Sequence, residues 1–153
     1  MAIDIPLISA LTALVAVIVG PIVSVYVAKR QIKASVVSSS RQKWIDNLRE
    51  QLSEIITGIR FLGVHSSLDL TSETEFRERL QKLLLVETKV NLLLNPNESD
   101  HQELARNLHL AIEKIFAGSE REKRVGVIAL IDLVTEQSQK ILKREWQRVK
   151  SGE

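Results

Sequence analysis

Cysteine is absent from this 153-residue chain. No disulfide framework and no thiolate metal site is open to it, which suits a soluble part in a reducing compartment. Aromatics make up 4% of the residues, too few to lay out stacking platforms for single-stranded nucleic acid. Six glycines and three prolines leave little to interrupt a helix. There is no glycine-rich phosphate loop, no nucleophile elbow and no Ser/His/Asp spacing that supports a hydrolase. No strand-like alternation of any length appears. The net charge is only +2, with basic residues interspersed among acids, so a nucleic-acid footprint is also missing. An enzyme is not expected, and no cofactor or metal is called for.

What the chain does have is one long apolar run, Ile5 to Ala28, with no charged residue in it. A helix of about 24 residues reaches roughly 36 Å, enough to cross a hydrocarbon core of about 30 Å with some tilt. The reading is a transmembrane anchor over 1–28, a juxtamembrane connector over 29–40 and a cytoplasmic helical bundle over 41–153. A cleaved signal peptide fits worse: the leading segment is acidic (Asp4) and the apolar stretch is too long. Lys29, Arg30 and Lys33 follow the run at once, so the positive-inside rule places the N-terminus outside and the remainder in the cytoplasm.

Within the run, small residues recur every fourth position: Thr12, Ala16, Gly20, Ser24 and Ala28. Helices in lipid associate by close backbone approach, which such residues permit, and the partner of a lone span is another chain. Gly20-Pro21 near the middle predicts a kink, because proline lacks a donor and crowds the previous turn. No ionisable residue lies inside the span, which argues against a proton relay.

The connector either continues the membrane helix or breaks at Ser38-Ser39-Ser40, with a restart near Arg41. Beyond it, Ile45, Leu48, Leu52, Ile55, Ile59 and Leu62 fall at spacings of 3 and 4. That is a heptad pattern, read as an oligomer seam or as one face of a bundle. Gly63 is expected to close this helix. A second helix is expected from about Glu73 to Leu94, opened by a Ser72–Glu75 capping box and burying Phe76, Leu80, Leu83, Leu84, Val90 and Leu94. Asn95-Pro96-Asn97 stops it. A third begins with a Ser99–Gln102 box, buries Leu104, Leu108, Ala111, Ile112 and Ile115, and closes at Gly118. A fourth follows Ser119–Glu122, carries Val127, Ile128, Ile131, Val134, Ile141, Leu142 and Val149, and reaches about Arg148. The fold class is all-α: one N-terminal transmembrane helix, then about four cytoplasmic helices joined by short connections.

The segment around Ser38, Arg41, Gln42, Trp44, Ile45, Leu48 and Arg49 resembles a pattern, Ser-x-x-Arg-Gln-x-Trp-Ile-x-x-Leu-Arg, found just after a single span in small bacterial membrane proteins of unassigned function. The resemblance covers about a tenth of the chain. It implies a bacterial inner membrane and no activity.

Four polar features stand out. Arg41, Lys43 and Trp44 could sit at the lipid interface beside Lys29, Arg30 and Lys33; otherwise Trp44 packs into the core and Arg41 pairs with Asp46 or a more distant acid. Arg41, Lys43 and Arg49 from several copies could instead ring a small anionic ligand. His109 and Glu113 share a helical face, and Glu98, Asp100 and His101 share a turn; neither set has the ligands a metal needs. Glu87 interrupts an apolar run and needs a partner if buried, with Asn91 one turn on. The expected function is a membrane-anchored, self-associating scaffold, sensor or regulatory module. Its expected partners are the bilayer, further copies, and a cytoplasmic protein or small anionic ligand, without nucleic acid. The alternative is an oligomeric pore or small channel lined by Thr12 and Ser24 and gated by the helical domain.

Overall fold

The computed structural model describes residues 5–65, 72–116 and 120–151, with side chains described at 13–32, 34–63, 72–116 and 124–151. Four helices account for them: α1 (Ile5–His65), α2 (Glu73–Leu93), α3 (Ser99–Lys114) and α4 (Glu120–Ser151). Among the described residues there is no strand. The contacts divide the chain into unit 1, up to Ser40, and unit 2, from Arg41 to Ser151.

Unit 1 is helix alone. Its apolar side chains from Leu14 to Val37 are exposed around the whole circumference, and none of its most apolar stretch is buried. One helix is therefore long and apolar enough to cross a membrane. The helix runs through Pro21, which cannot donate to the carbonyl one turn back. Ser24 Oγ donates to the Gly20 carbonyl at 2.8 Å, tying down another backbone oxygen at the same turn. A Cβ built on Gly20 would meet nothing within 4 Å.

Unit 2 is built from four seams of the same kind. On α1 the seam is the expected set, Ile45 through Leu62, each at most 2% exposed. On α2 it is Phe76, Leu80, Leu83, Glu87, Val90 and Leu94; on α3, His101, Leu104, Leu108, Ala111 and Ile115; on α4, Val127, Ile131, Val134, Ser138, Ile141 and Glu145. Alternating spacings of 3 and 4 keep each set on one side of its helix, where the sets meet in one core. Fully burying one Val, Leu or Ile contributes about 1.5–3 kcal/mol, so the seams and not helix propensity hold the unit together.

Several expectations are corrected here. The six α1 seam residues are all buried within their own chain, Leu48 to Leu62 in its main core, so they are one face of a bundle and offer no oligomer seam to another copy. Of the two alternatives at Ser38-Ser39-Ser40 the helix takes continuation: serine is only mildly unfavourable inside a helix, and Arg41, Gln42 and Lys43 after it favour it. Gly63 does not end α1, which continues to His65. A Cβ at Gly63 would lie 2.7 Å from Val127 Cγ1, so the glycine permits the close approach of α1 and α4. Ser72 does cap α2, accepting from the Glu75 N–H at 3.3 Å. Ser99, in contrast, is already helical; Glu98 occupies the cap position without a side-chain cap bond. Leu84 and Ile128 are exposed, while Val86, not among the expected core residues, is buried. The expected cap at Ser119 and stop at Gly118 lie outside the described residues.

Candidate functional site

Polar residues interrupt the seams at four positions, and three of these, His101, Glu145 and Glu87, fall into two gatherings of partners. The first gathering surrounds His101, which is 1% exposed at the start of α3. The Asn95 backbone N–H donates to His101 Nδ1 at 2.9 Å. In the neutral ring the proton then sits on Nε2, which faces Glu98 Oε2 at 3.8 Å. Trp44 on α1 stacks on the imidazole, with ring centres 6.3 Å apart and planes 16° apart. The Trp44 indole N–H donates to the Leu93 carbonyl at 2.9 Å, satisfying the exposed end of α2. Trp44 is thus a packing residue of unit 2, as the core alternative had it.

Two arginines from the last turns of α4 close this layer. The Arg144 guanidinium donates to Glu98 and to Asp100, and its Nη2 lies 3.2 Å from His101 Nε2. Arg148 Nη1 donates to Glu145 Oε1 at 2.7 Å, and Glu145 also accepts from Arg144 Nε at 3.2 Å. A buried carboxylate at a seam position is tolerated only when so paired. Burial works to raise the Glu98 carboxyl; the Asn95 amide hydrogen bond and the charges of Arg144 and Arg148 outweigh it and hold the group below the usual carboxylate range. Arg41, Trp44, Asn95, Glu98, His101, Glu145 and Arg148 line a cavity of about 300 Å³ here.

Glu98, Asp100 and His101 bring ligand atoms within 4.8 Å of one another, close enough to hold a cation. The Arg144 guanidinium pairs with both carboxylates and supplies that positive charge. The chemistry on offer is charge pairing: two carboxylates, an imidazole and guanidinium groups, with no hydroxyl or thiol nucleophile among them.

The second gathering joins two features that the sequence presented separately. Glu87, its side chain 12% exposed, accepts from His109 Nδ1 at 3.0 Å. Glu113 lies 3.5 Å from His109 Nε2. The hydrogen bond and charge of Glu87 raise the imidazole above its ordinary value, Glu113 adds to this, and slight burial opposes it. Glu87 is therefore partnered by a histidine across the α2–α3 contact; Asn91 is exposed and takes no part.

The remaining expected residues are dispersed. Lys29, Arg30 and Lys43 are exposed, and the Lys33 and Thr12 side chains lie outside the described ones. Arg49 pairs with Asp46 at 2.8 Å, so Asp46 is already engaged and Arg41 instead borders the His101 cavity. Arg144, Glu145 and Arg148 were not anticipated as site residues. The signal was present: Glu145 continues the α4 heptad and Arg148 follows three residues later. Comparison with models of protein families, with curated proteins and with solved structures finds nothing that matches this chain.

Proposed function

We propose that this protein is a membrane-anchored, self-associating helical module of a bacterial inner membrane, whose four-helix unit serves as a cytoplasmic scaffold, sensor or regulatory element. The observation that carries the reading is the contrast within α1: an apolar helix with no buried side, followed by a seam that is wholly buried. A helix apolar all round needs a hydrocarbon solvent. Lys29 and Arg30 directly after it favour the cytoplasmic side for unit 2. Association falls to the ladder Thr12, Ala16, Gly20, Ser24 and Ala28, since the α1 seam is occupied within the chain. The charge-paired layer around His101 reads as a structural clamp of unit 2 and not as a catalytic centre.

A pore remains the second reading. It needs Thr12 and Ser24 of several copies to line an aqueous path, and the bond of the Ser24 hydroxyl to the Gly20 carbonyl favours neither reading, since exposed Ser53 and Thr57 make the same bond. Reconstitution separates the two readings. The full chain in liposomes is expected to be oligomeric and tight to a small dye, and Ala16→Leu with Gly20→Leu is expected to weaken the oligomer. Dye release abolished by that double substitution would establish the pore instead. An oligomer unaffected by it would remove the ladder as the interface.

A further inference from the structure

The two tryptophans of unit 2 have opposite settings. Trp44 is taken up by the His101 layer, and its N–H is bonded inside the chain. Trp146, on α4, is 37% exposed, and its N–H bonds to no protein group among the described residues. Lys143 and Lys150 flank it at spacings of 3 and 4, on one side of the helix. The Lys150 ammonium lies 5.6 Å from the centre of the Trp146 ring. Leu142, Lys143 and Trp146 line an open cavity of about 470 Å³ with Gln42, Asp46 and Arg49 of α1.

The charges on this part of α4 are of one sign. From Gln139 to Ser151 the helix carries five cations and one acid. Arg144 and Arg148 are held by Glu98, Asp100 and Glu145, and Lys140 pairs with Glu136 at 2.6 Å. Asp46, the one acid on the cavity wall, is paired with Arg49 at 2.8 Å. Lys143 and Lys150 form no ion pair among the described residues, so the unneutralised charge collects beside Trp146. This is also the end of unit 2 at which the chain enters it: Arg41 shares a cavity with Arg148, and Gln42 shares one with Trp146. Residues 29–40, which join this end to the apolar run, span at most roughly 43 Å even if fully extended.

We propose that the last two turns of α4 rest on anionic lipid headgroups of the leaflet beside the span, with Trp146 at the interface and Lys143 and Lys150 on the phosphates. Tryptophan and lysine both favour that zone. The indole ring takes the boundary between apolar and wet, its N–H finds phosphate or ester acceptors, and the ammonium groups follow the negative surface potential. An acidic protein would suit the lysines as well. The tether decides for lipid, because it keeps headgroups at high local concentration whatever else is present. The inference rests on the membrane-anchor reading and gives the anchored unit a second, lipid-dependent contact.

Tryptophan emission reads this contact in the full-length chain. With Trp44→Phe, Trp146 is the one tryptophan left. The chain is reconstituted in vesicles of phosphatidylcholine, with or without anionic phosphatidylglycerol. The anionic vesicles are expected to shift Trp146 emission to the blue and to cut its quenching by acrylamide several-fold. Lys143→Glu with Lys150→Glu, or high salt, is expected to remove the difference. The reciprocal Trp146→Phe chain, reporting Trp44 in the core, is expected to show no dependence on lipid charge. Equal quenching of Trp146 in both kinds of vesicle, in a chain that floats with them, would overturn the contact and leave the anchor standing. Shielding that follows protein density and not lipid charge would overturn it in favour of a second copy. A chain that does not float with the vesicles would overturn the anchor reading and this inference with it.

Discussion

The two parts of α1 are made of similar residues and differ in where they put them. Before Ser40, Val, Ile, Leu and Ala occupy every side of the helix, and Val17 is 70% exposed. After Arg41, apolar residues keep to one side, and Ile45, Leu48 and Ile55 are fully buried. Composition alone would call both parts hydrophobic. Periodicity tells them apart: a one-sided pattern expects other helices, and an all-round pattern expects lipid. The two glycines repeat the lesson. Gly63 lies against Val127, while Gly20 faces open space in the single chain.

The contrast is broken most severely by a charge in the α1 seam. Ile55→Asp should abolish the cooperative thermal unfolding of unit 2, since an unpaired buried carboxylate adds several kcal/mol to the about 2–5 kcal/mol lost with the side chain. The same substitution at Val17 should leave that unfolding intact and lower membrane insertion instead, by about 2.5–3.5 kcal/mol at mid-span. Equal effects of the two on unit 2 would erase the distinction. Next in size are the glycines. Gly63→Ala should destabilise unit 2 by about 1–3 kcal/mol, because the new methyl must displace Val127. Gly20→Ala should leave the unfolding of unit 2 unchanged and act only on association.

Smaller effects test the polar layer. Trp44→Phe keeps a ring for His101 but orphans the Leu93 carbonyl, and chemical denaturation should show a loss of about 0.5–1.5 kcal/mol. The smallest expected effect is that of pH. His109 is raised above its ordinary value in the folded chain, so its contribution is complete below about pH 6.5 and is lost as pH rises through the raised value. Stability measured across pH 6 to 8 should fall slightly with rising pH, and His109→Gln should flatten that slope. Glu98 works in the opposite sense: held low when folded, its contribution is lost as pH falls below the carboxylate range.

Much of this fold was legible in the chain. The all-α class, the α1 seam, the Ser72 cap and the core of α3 follow from spacings of 3 and 4 and from local turn chemistry. Gly63 was misread because a glycine at the end of a periodic run looks the same whether it caps a helix or admits a neighbour. The α1 heptad left an oligomer seam and a bundle face open because a heptad does not say whether its companion lies in the same chain. The His101 layer was hidden for a similar reason. Trp44, the Glu98–His101 turn and Arg144 lie far apart in sequence, and only the packing of the helices gives Asp100 and Glu98 a guanidinium partner. Glu87 and His109, each noticed singly, needed the α2–α3 contact to become a pair.

The central claim is that the first part of α1 lives in lipid. Alkaline carbonate washing of membranes from cells expressing the full chain tests it directly, because the wash strips peripheral proteins and leaves spanning ones. The account predicts that the protein stays in the pellet, and that a chain with Val17→Asp and Ile22→Asp moves to the supernatant. Recovery of the unaltered chain in the supernatant would contradict the anchor and, with it, the proposed function.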